Sequence, residues 1–172
     1  MFNLSENEFY KEIVRENIKG KVIIEIGAGS YWKEIGKALK NMGAEAYVAI
    51  DTDENLLIND ETEKQIYDKE NDKDLYKGVY LVVDDPVNLL SKLRDHSSVI
   101  ISANTFNEPM HKNKKYTEKL CNLIAEKTSF GLHAMSTPFD WKSSMGVEES
   151  EENTKYLKLD MGRIKAFIFK NE

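Results

Sequence analysis

Two short stretches of the chain combine glycines and carboxylates in a spacing that can hold a nucleoside. Glu25-x-Gly27-x-Gly29 follows one apolar run, and Asp51 ends another about twenty residues later. Glycines lack a Cβ, so the backbone can turn sharply there and a ligand can approach closely. A carboxylate at the tip of the neighbouring strand can accept hydrogen bonds from both hydroxyls of a ribose. The pattern therefore predicts a nucleoside-binding edge.

The glycine spacing separates two classes of nucleoside cofactor. A dinucleotide fingerprint, G-x-G-x-x-G, that began at Gly27 would have its third glycine at the position of Trp32. That third glycine permits close packing of helix and strand, which an indole would block. The sequence therefore disfavours a nucleotide-dependent oxidoreductase, which stays as the last of the alternatives.

The same residues resemble the first motif of the class I S-adenosylmethionine-dependent methyltransferases. That motif has the form acidic-x-Gly-x-Gly-x-Gly, and a second acidic residue ends the family's second strand, as Glu25 and Asp51 do here. Tyr31 replaces the third glycine of the motif, and the pair Tyr31-Trp32 either lines or blocks the pocket. The resemblance implies S-adenosylmethionine as the cofactor, and the positions it implicates in binding are Glu25, Gly27, Ala28, Gly29, Asp51, Thr52, Asp84, Asp85 and Asn104.

Later apolar runs extend the resemblance over nearly the whole chain. Residues 80–85, 99–104 and 130–135 resemble the family's third, fourth and fifth strands, and residues 156–169 resemble its closing hairpin. Strands that alternate with helical patterns predict a parallel sheet with helices on both faces. The predicted fold is α/β: a Rossmann-like three-layer α/β/α sandwich. Its mostly parallel seven-stranded sheet carries a C-terminal antiparallel hairpin, in a single domain of residues 1–172.

Local signals predict the ends of two helices and a structural role for Asp85. Gly20 and Gly43 are predicted to end the first two helices. Asp85 stands directly before Pro86, which is typical of an N-cap followed by proline at the first helical position. A structural role therefore competes with a ligand role at Asp85, and Asp84 is the better candidate for contacting the adenine.

The loops after the fourth and fifth strands would face the methyl acceptor. Asn104 and His111 are the candidates for a catalytic role, and the imidazole of His111 has a pKa naturally close to neutral pH. The loop that starts at Asn104 lacks the Asn/Asp-Pro-Pro-aromatic tetrad of the family's amino-methylating enzymes, which argues against adenine or glutamine amides as acceptors. The remaining candidates on this side are Phe106, Asn107, Glu108, Thr137, Phe139 and Trp141.

Composition narrows the partners and the compartment. The chain has 172 residues and a formal net charge of −6, which argues against nucleic acid as a partner. One cysteine, Cys121, excludes an internal disulfide, and the histidine and cysteine spacings predict no metal site. No apolar run approaches the roughly 20 residues that a bilayer crossing needs. We therefore expect a cytoplasmic protein with no membrane partner.

The resemblance implies an S-adenosylmethionine-dependent methyltransferase of minimal size. A chain this short leaves little room for a substrate lid, so the acceptor is expected to be a small molecule or a group presented by a partner protein that completes the site. The alternative is a non-catalytic, S-adenosylmethionine-binding or degenerate methyltransferase-like subunit with a regulatory or scaffold role. The sequence predicts neither the acceptor nor the oligomeric state.

Overall fold

Seven strands form one sheet in the structure, a computed structural model that describes residues 15–53, 55, 78–103, 105, 113–135, 154–159 and 162–170. The strands are β1 (Val22–Ile26), β2 (Ala46–Asp51), β3 (Val79–Val83), β4 (Ser98–Ala103), β5 (Thr128–Met135), β6 (Thr154–Leu159) and β7 (Gly162–Lys170). Among the described residues, the helices between them are α1 (Trp32–Asn41), α2 (Pro86–Leu90) and α3 (Lys114–Lys127), and Gly29–Tyr31 form a 3-10 turn. Residues 15–18 are also helical.

The strand order across the sheet is β3-β2-β1-β4-β5-β7-β6. The first five strands pair in parallel, whereas β7 runs antiparallel to both β5 and β6. The predicted Rossmann-like α/β class is confirmed. From β1 the chain adds β2 and β3 on one side, and it then crosses to the other side of β1 to add β4 and β5. The order of the strands therefore reverses between β1 and β4. In open α/β sheets such a switch point is where ligands bind, beyond the carboxyl ends of the strands.

Two hydrophobic layers hold the helices on opposite faces of the sheet. Successive residues of a strand face opposite sides: Ile23 packs in one layer and Ile24 in the other. The first layer contains Trp32 and Leu39 of α1, and the second contains Leu120 of α3 together with residues of α2. This is the predicted three-layer arrangement.

The helical residues 15–18 end before Gly20 and α1 ends before Gly43, as the sequence predicts. At the end of α1 the Gly43 N–H donates to the Lys40 carbonyl at 2.9 Å, and the Ala44 N–H donates to the Leu39 carbonyl at 3.1 Å. These two bonds form a Schellman motif, which satisfies carbonyls at the end of a helix. The sequence Ser5-x-x-Glu8 predicts a capping box, and residues 54–77 are densely charged; residues 5–8, 54 and 56–77 lie outside the described residues. No helix in the described part of the chain is long and apolar enough to cross a membrane.

Helix α1 packs closely against β2 and β3 at Gly36. A Cβ at this position would lie 2.7 Å from Tyr47 Cδ1 and 2.7 Å from Val79 Cγ1. We expect Gly36→Ala to lower the free energy of unfolding by about 1–3 kcal/mol through overpacking, although alanine normally favours a helix by about 1 kcal/mol over glycine. Urea denaturation measures the difference, and a more stable variant would show that α1 is free to shift away from the sheet.

Candidate functional site

The chain leaves β1 through a tight turn that carries both glycines of the predicted motif. Gly27 and Gly29 have φ angles of +67° and +61°, a region that residues with a Cβ rarely adopt. The Gly27 N–H donates to the Ile50 carbonyl at 2.8 Å, so the turn starts as a continuation of the β1–β2 pairing. The two predicted stretches therefore meet at one edge of the sheet.

Asp51 joins this glycine turn to the end of β2. Its Oδ2 accepts the backbone N–H of Gly29 at 3.0 Å, and its Oδ1 accepts the backbone N–H of Asp53 at 3.0 Å. A carboxylate oxygen has two lone-pair positions, so each oxygen can accept one more hydrogen bond. Thr52 beside it is exposed, whereas Ala28 in the turn is 7% exposed and packs in the α1 layer of the core. The geometry leaves Asp51 able to receive hydroxyl donors.

Glu25 lies under the turn and is 3% exposed. Its Oε2 accepts a hydrogen bond from the Tyr47 hydroxyl, which is itself fully buried. Burial raises the pKa of Glu25 from 4.5 to about 7; the Tyr47 hydrogen bond opposes this shift, and the negative charge of Asp51 adds to it. The carboxyl group is held in the core by Tyr47 of β2. Tyr47 is absent from the residues predicted for the site.

The Tyr31-Trp32 pair divides between surface and core. Trp32 is 3% exposed and belongs to the α1 layer, with Lys33 Nζ 5.2 Å from its ring centroid. Tyr31 is 46% exposed. The close approach of helix to sheet takes place one helical turn later, at Gly36. Of this pair, only the Tyr31 ring is available to a ligand.

Asp84 follows the last residue of β3 and extends the pairing with β2. Its N–H donates to the Asp51 carbonyl at 3.0 Å. Its Oδ1 accepts the Asn88 side-chain amide at 3.0 Å and the Asp85 N–H at 2.7 Å, and these two donors lower the pKa of Asp84. Asp84 is therefore an ionised, partly exposed carboxylate at the same edge as Asp51.

Asp85 is the N-cap of α2, as its position before Pro86 predicts. Its Oδ1 accepts the Val87 N–H at 2.8 Å and also the Tyr116 hydroxyl of α3 at 2.7 Å. Burial and the Asp85 carboxylate raise the pKa of Tyr116, so this hydroxyl stays protonated and donates. One oxygen of Asp85 is therefore committed to structure.

Thr105 closes the opposite side of the turn, from just beyond β4. Its Oγ1 donates to the Ile26 carbonyl at 2.5 Å. Nothing in the sequence spacing singles out this residue. Asn104, His111 and the other residues predicted to face the acceptor lie outside the described residues, so their roles stay predictions.

No protein-family model and no curated protein matches the chain by sequence. Solved structures do match. TrmN from Thermus thermophilus has a TM-score of 0.65 and 9% identity over 95% of this chain and 48% of that one. An rRNA methylase from Streptococcus thermophilus has a TM-score of 0.57 and 11% identity over 95% of both chains. The chain has the fold of the class I S-adenosylmethionine-dependent methyltransferases.

A third structure of this methyltransferase fold contains the cofactor product. TrmK from M. capricolum, in complex with S-adenosylhomocysteine, has a TM-score of 0.56 and 12% identity over 96% of this chain and 70% of that one. In our chain the described cofactor candidates all lie at the carboxyl ends of β1, β2 and β3. Their role in binding a cofactor remains a prediction, which substitutions at these positions can test.

Two buried groups lie in the core of the methyltransferase fold. His133 on β5 is fully buried, with Nδ1 2.8 Å from Ser102 Oγ on β4, and burial lowers its pKa to about 3. Its imidazole is therefore neutral at physiological pH. Cys121 on α3 is also buried, and burial raises its thiol pKa to about 12.

Proposed function

We propose that this chain is a single-domain enzyme that binds S-adenosylmethionine and transfers its methyl group to a small molecule or to a group presented by a partner protein. The observation that carries the proposal is the bond from the Gly29 N–H to the Asp51 carboxylate. It joins the glycine turn after β1 to Asp51 at the end of β2. These are the two features proposed to hold the adenosyl group. The methyltransferase fold supports the same class of cofactor.

The residues at this edge fit an adenosyl cofactor in size and in hydrogen-bonding capacity. Gly27 and Gly29 are assigned to the methionine and ribose end. A Cβ at Gly29 would meet nothing within 4 Å, whereas the Cβ side of Gly27 is covered by Thr105. Asp51 keeps a lone pair on each oxygen for the ribose hydroxyls. The partly exposed carboxylate of Asp84 is placed to accept from an adenine amino group. Glu25 is bonded to Tyr47 in the core, and its burial favours a structural role over direct contact with the cofactor.

Alignment is the main task left to the protein. The bound sulfonium would supply an activated methyl group and a neutral thioether leaving group. Asp51 would orient the ribose. The turn after β1 would fix the methionine end relative to the end of β4, where the acceptor is expected. Holding two reactants in line can supply much of a rate enhancement without a dedicated catalytic side chain. A base is needed only if the acceptor still carries a proton, and His111 is the candidate for that role.

The charge of the chain favours acceptors other than nucleic acid. Binding to phosphate backbones depends on lysine and arginine that displace counterions, and this chain has 24 basic against 30 acidic residues. The matched structures include proteins named for rRNA methylation, so RNA is the alternative acceptor class. A methyl-transfer assay distinguishes these classes. S-adenosylmethionine with a labelled methyl group is incubated with the protein and with fractionated small molecules, proteins or RNA, and the label incorporated into each fraction is measured.

Calorimetric titration with S-adenosylhomocysteine tests the cofactor site. We expect Asp51→Ala to weaken binding by about 1.5–3 kcal/mol, the usual cost of losing a hydrogen bond to a charged group. Asp53→Ala is the matched control: it removes the same charge two residues away, where the carboxylate contacts only Asn55 among the described residues. Its affinity should stay close to that of the wild type.

Each arm of this titration has a result that counts against the proposal. Unchanged affinity in Asp51→Ala would remove this residue from the site. Wild-type protein that does not bind S-adenosylhomocysteine, or that binds NAD more tightly, would overturn the proposed function.

A further inference from the structure

The glycine turn after β1 is held from both sides of that strand. On the β2 side, the Ile50 carbonyl and the Asp51 carboxylate accept its backbone N–H groups. On the β4 side, Thr105 Oγ1 donates to the Ile26 carbonyl, the last one of β1. The contact joins residues 79 positions apart in the chain, and it spans the switch point between β1 and β4.

The Thr105 side chain also lies directly against the turn. A Cβ at Gly27 would be 2.7 Å from Thr105 Oγ1, 2.9 Å from its Cγ2 and 3.2 Å from its Cβ. The hydroxyl and the methyl group of Thr105 thus fill the space beside the Gly27 Cα. A β-branched side chain has few χ1 alternatives, so this contact restricts the turn as well as covering it.

We propose that Thr105 is a positioning residue for the cofactor: it acts through Gly27 and Ile26 to keep the turn in its ligand-binding shape before the ligand arrives. The inference rests on the proposed function. A protein whose binding-competent form is only partly populated binds more weakly in proportion to that fraction. Loss of the Thr105 hydroxyl would allow the Ile26 carbonyl and the turn to leave their positions, and the apparent affinity would fall accordingly.

Two substitutions separate the hydroxyl from the shape of the side chain. Thr105→Val keeps the branched shape without the donor, and Thr105→Ser keeps the donor. We expect calorimetric titration to show about three- to tenfold weaker binding of S-adenosylhomocysteine by Thr105→Val, the effect of one lost hydrogen bond. Thr105→Ser should bind within about twofold of the wild type. The rescue by serine is the signature of the hydroxyl.

Amide hydrogen exchange of the ligand-free protein provides a second readout. The Gly29 amide, which donates to Asp51, should exchange about three- to tenfold faster in Thr105→Val, because local opening of the turn becomes easier. Amides of β5 serve as the internal control and should not change. A merely structural role would accelerate both sets together through global unfolding.

The outcomes separate this inference from the proposed function. Wild-type protein that fails to bind S-adenosylhomocysteine would overturn both. Wild-type protein that binds it, with Thr105→Val equally tight or with equal acceleration at Gly29 and in β5, would overturn the positioning role alone. If Thr105→Val does not fold, Thr105→Ala is compared with Thr105→Ser by the same two measurements.

Discussion

Gly27→Ala is expected to abolish measurable binding of S-adenosylhomocysteine and to lower the free energy of unfolding by about 2–5 kcal/mol. The φ of +67° costs a residue with a Cβ about 1–2 kcal/mol. The new Cβ would also lie 2.7 Å from Thr105 Oγ1, and relieving such a contact adds about 1–3 kcal/mol. The turn would have to move, and with it the backbone that the ligand approaches.

Gly20→Ala is the matched control for this experiment. Gly20 has a nearly identical φ of +68°, but a Cβ there meets nothing within 4 Å, and the residue lies at the opposite end of β1. Gly20→Ala should lose only the stability that the positive φ costs, and it should keep the wild-type affinity for S-adenosylhomocysteine. Urea denaturation and calorimetry compare the two variants. Equal loss of stability in both would mean that the Thr105 contact yields without cost.

Glu25 is expected to make the protein less stable as the pH rises from 4.5 to about 7. In this window the folded protein keeps the Glu25 proton, because its pKa is raised to about 7, whereas the unfolded chain releases it above 4.5. The stabilisation is therefore complete below pH 4.5 and is lost as the pH approaches 7. The shift corresponds to about 3 kcal/mol. Glu25→Gln keeps an acceptor for the Tyr47 hydroxyl and does not titrate.

The measured quantity is the free energy of unfolding of the wild type minus that of Glu25→Gln. Taking this difference matters because His133 acts in the opposite direction: its folded pKa is about 3 against 6.5 in the unfolded chain, so it stabilises the fold as the pH rises through that range. The difference should fall by about 3 kcal/mol from pH 4.5 to 7.

Asp84→Asn is the control for this pH series. The pKa of Asp84 is lowered in the folded protein, so its carboxyl is ionised in both states above pH 4.5 and the corresponding difference should stay flat. A flat difference for Glu25→Gln as well would mean that Glu25 is ionised in the fold, contrary to its burial.

The strands and the helix ends were predictable because their signals are local. Apolar runs that end in glycine or a carboxylate marked the last residues of β1 and β2, whereas the start of β2 was predicted at Tyr47, one residue late. Asp85 before Pro86 marked the start of α2, since an N-cap needs only its own side chain and the next backbone N–H groups. The prediction for β3 ran two residues too far. The strand ends at Val83, and the Asp85 side chain caps the following helix while the Asp84 carboxylate accepts the Asp85 N–H.

Contacts between strands were harder to predict. Tyr47 could have been found, because placing β1 and β2 side by side with their ends together puts Ile23 opposite Tyr47 and Glu25 on the same face. The hydrogen bond of Thr105 to Ile26 could not, since it depends on a side-chain rotamer across a strand boundary. The close packing of helix and sheet that a third glycine would permit at position 32 occurs instead at Gly36, four residues later.

The buried thiol of Cys121 has a practical consequence for spectroscopy. Alkylating dyes react with the thiolate, and a sulfhydryl with a pKa near 12 inside the core offers almost none at neutral pH. It is also the only cysteine in the chain. A maleimide fluorophore would therefore attach selectively to a cysteine introduced at the exposed position of Tyr31, so the natural sequence can serve unmodified as the background for an optical reporter.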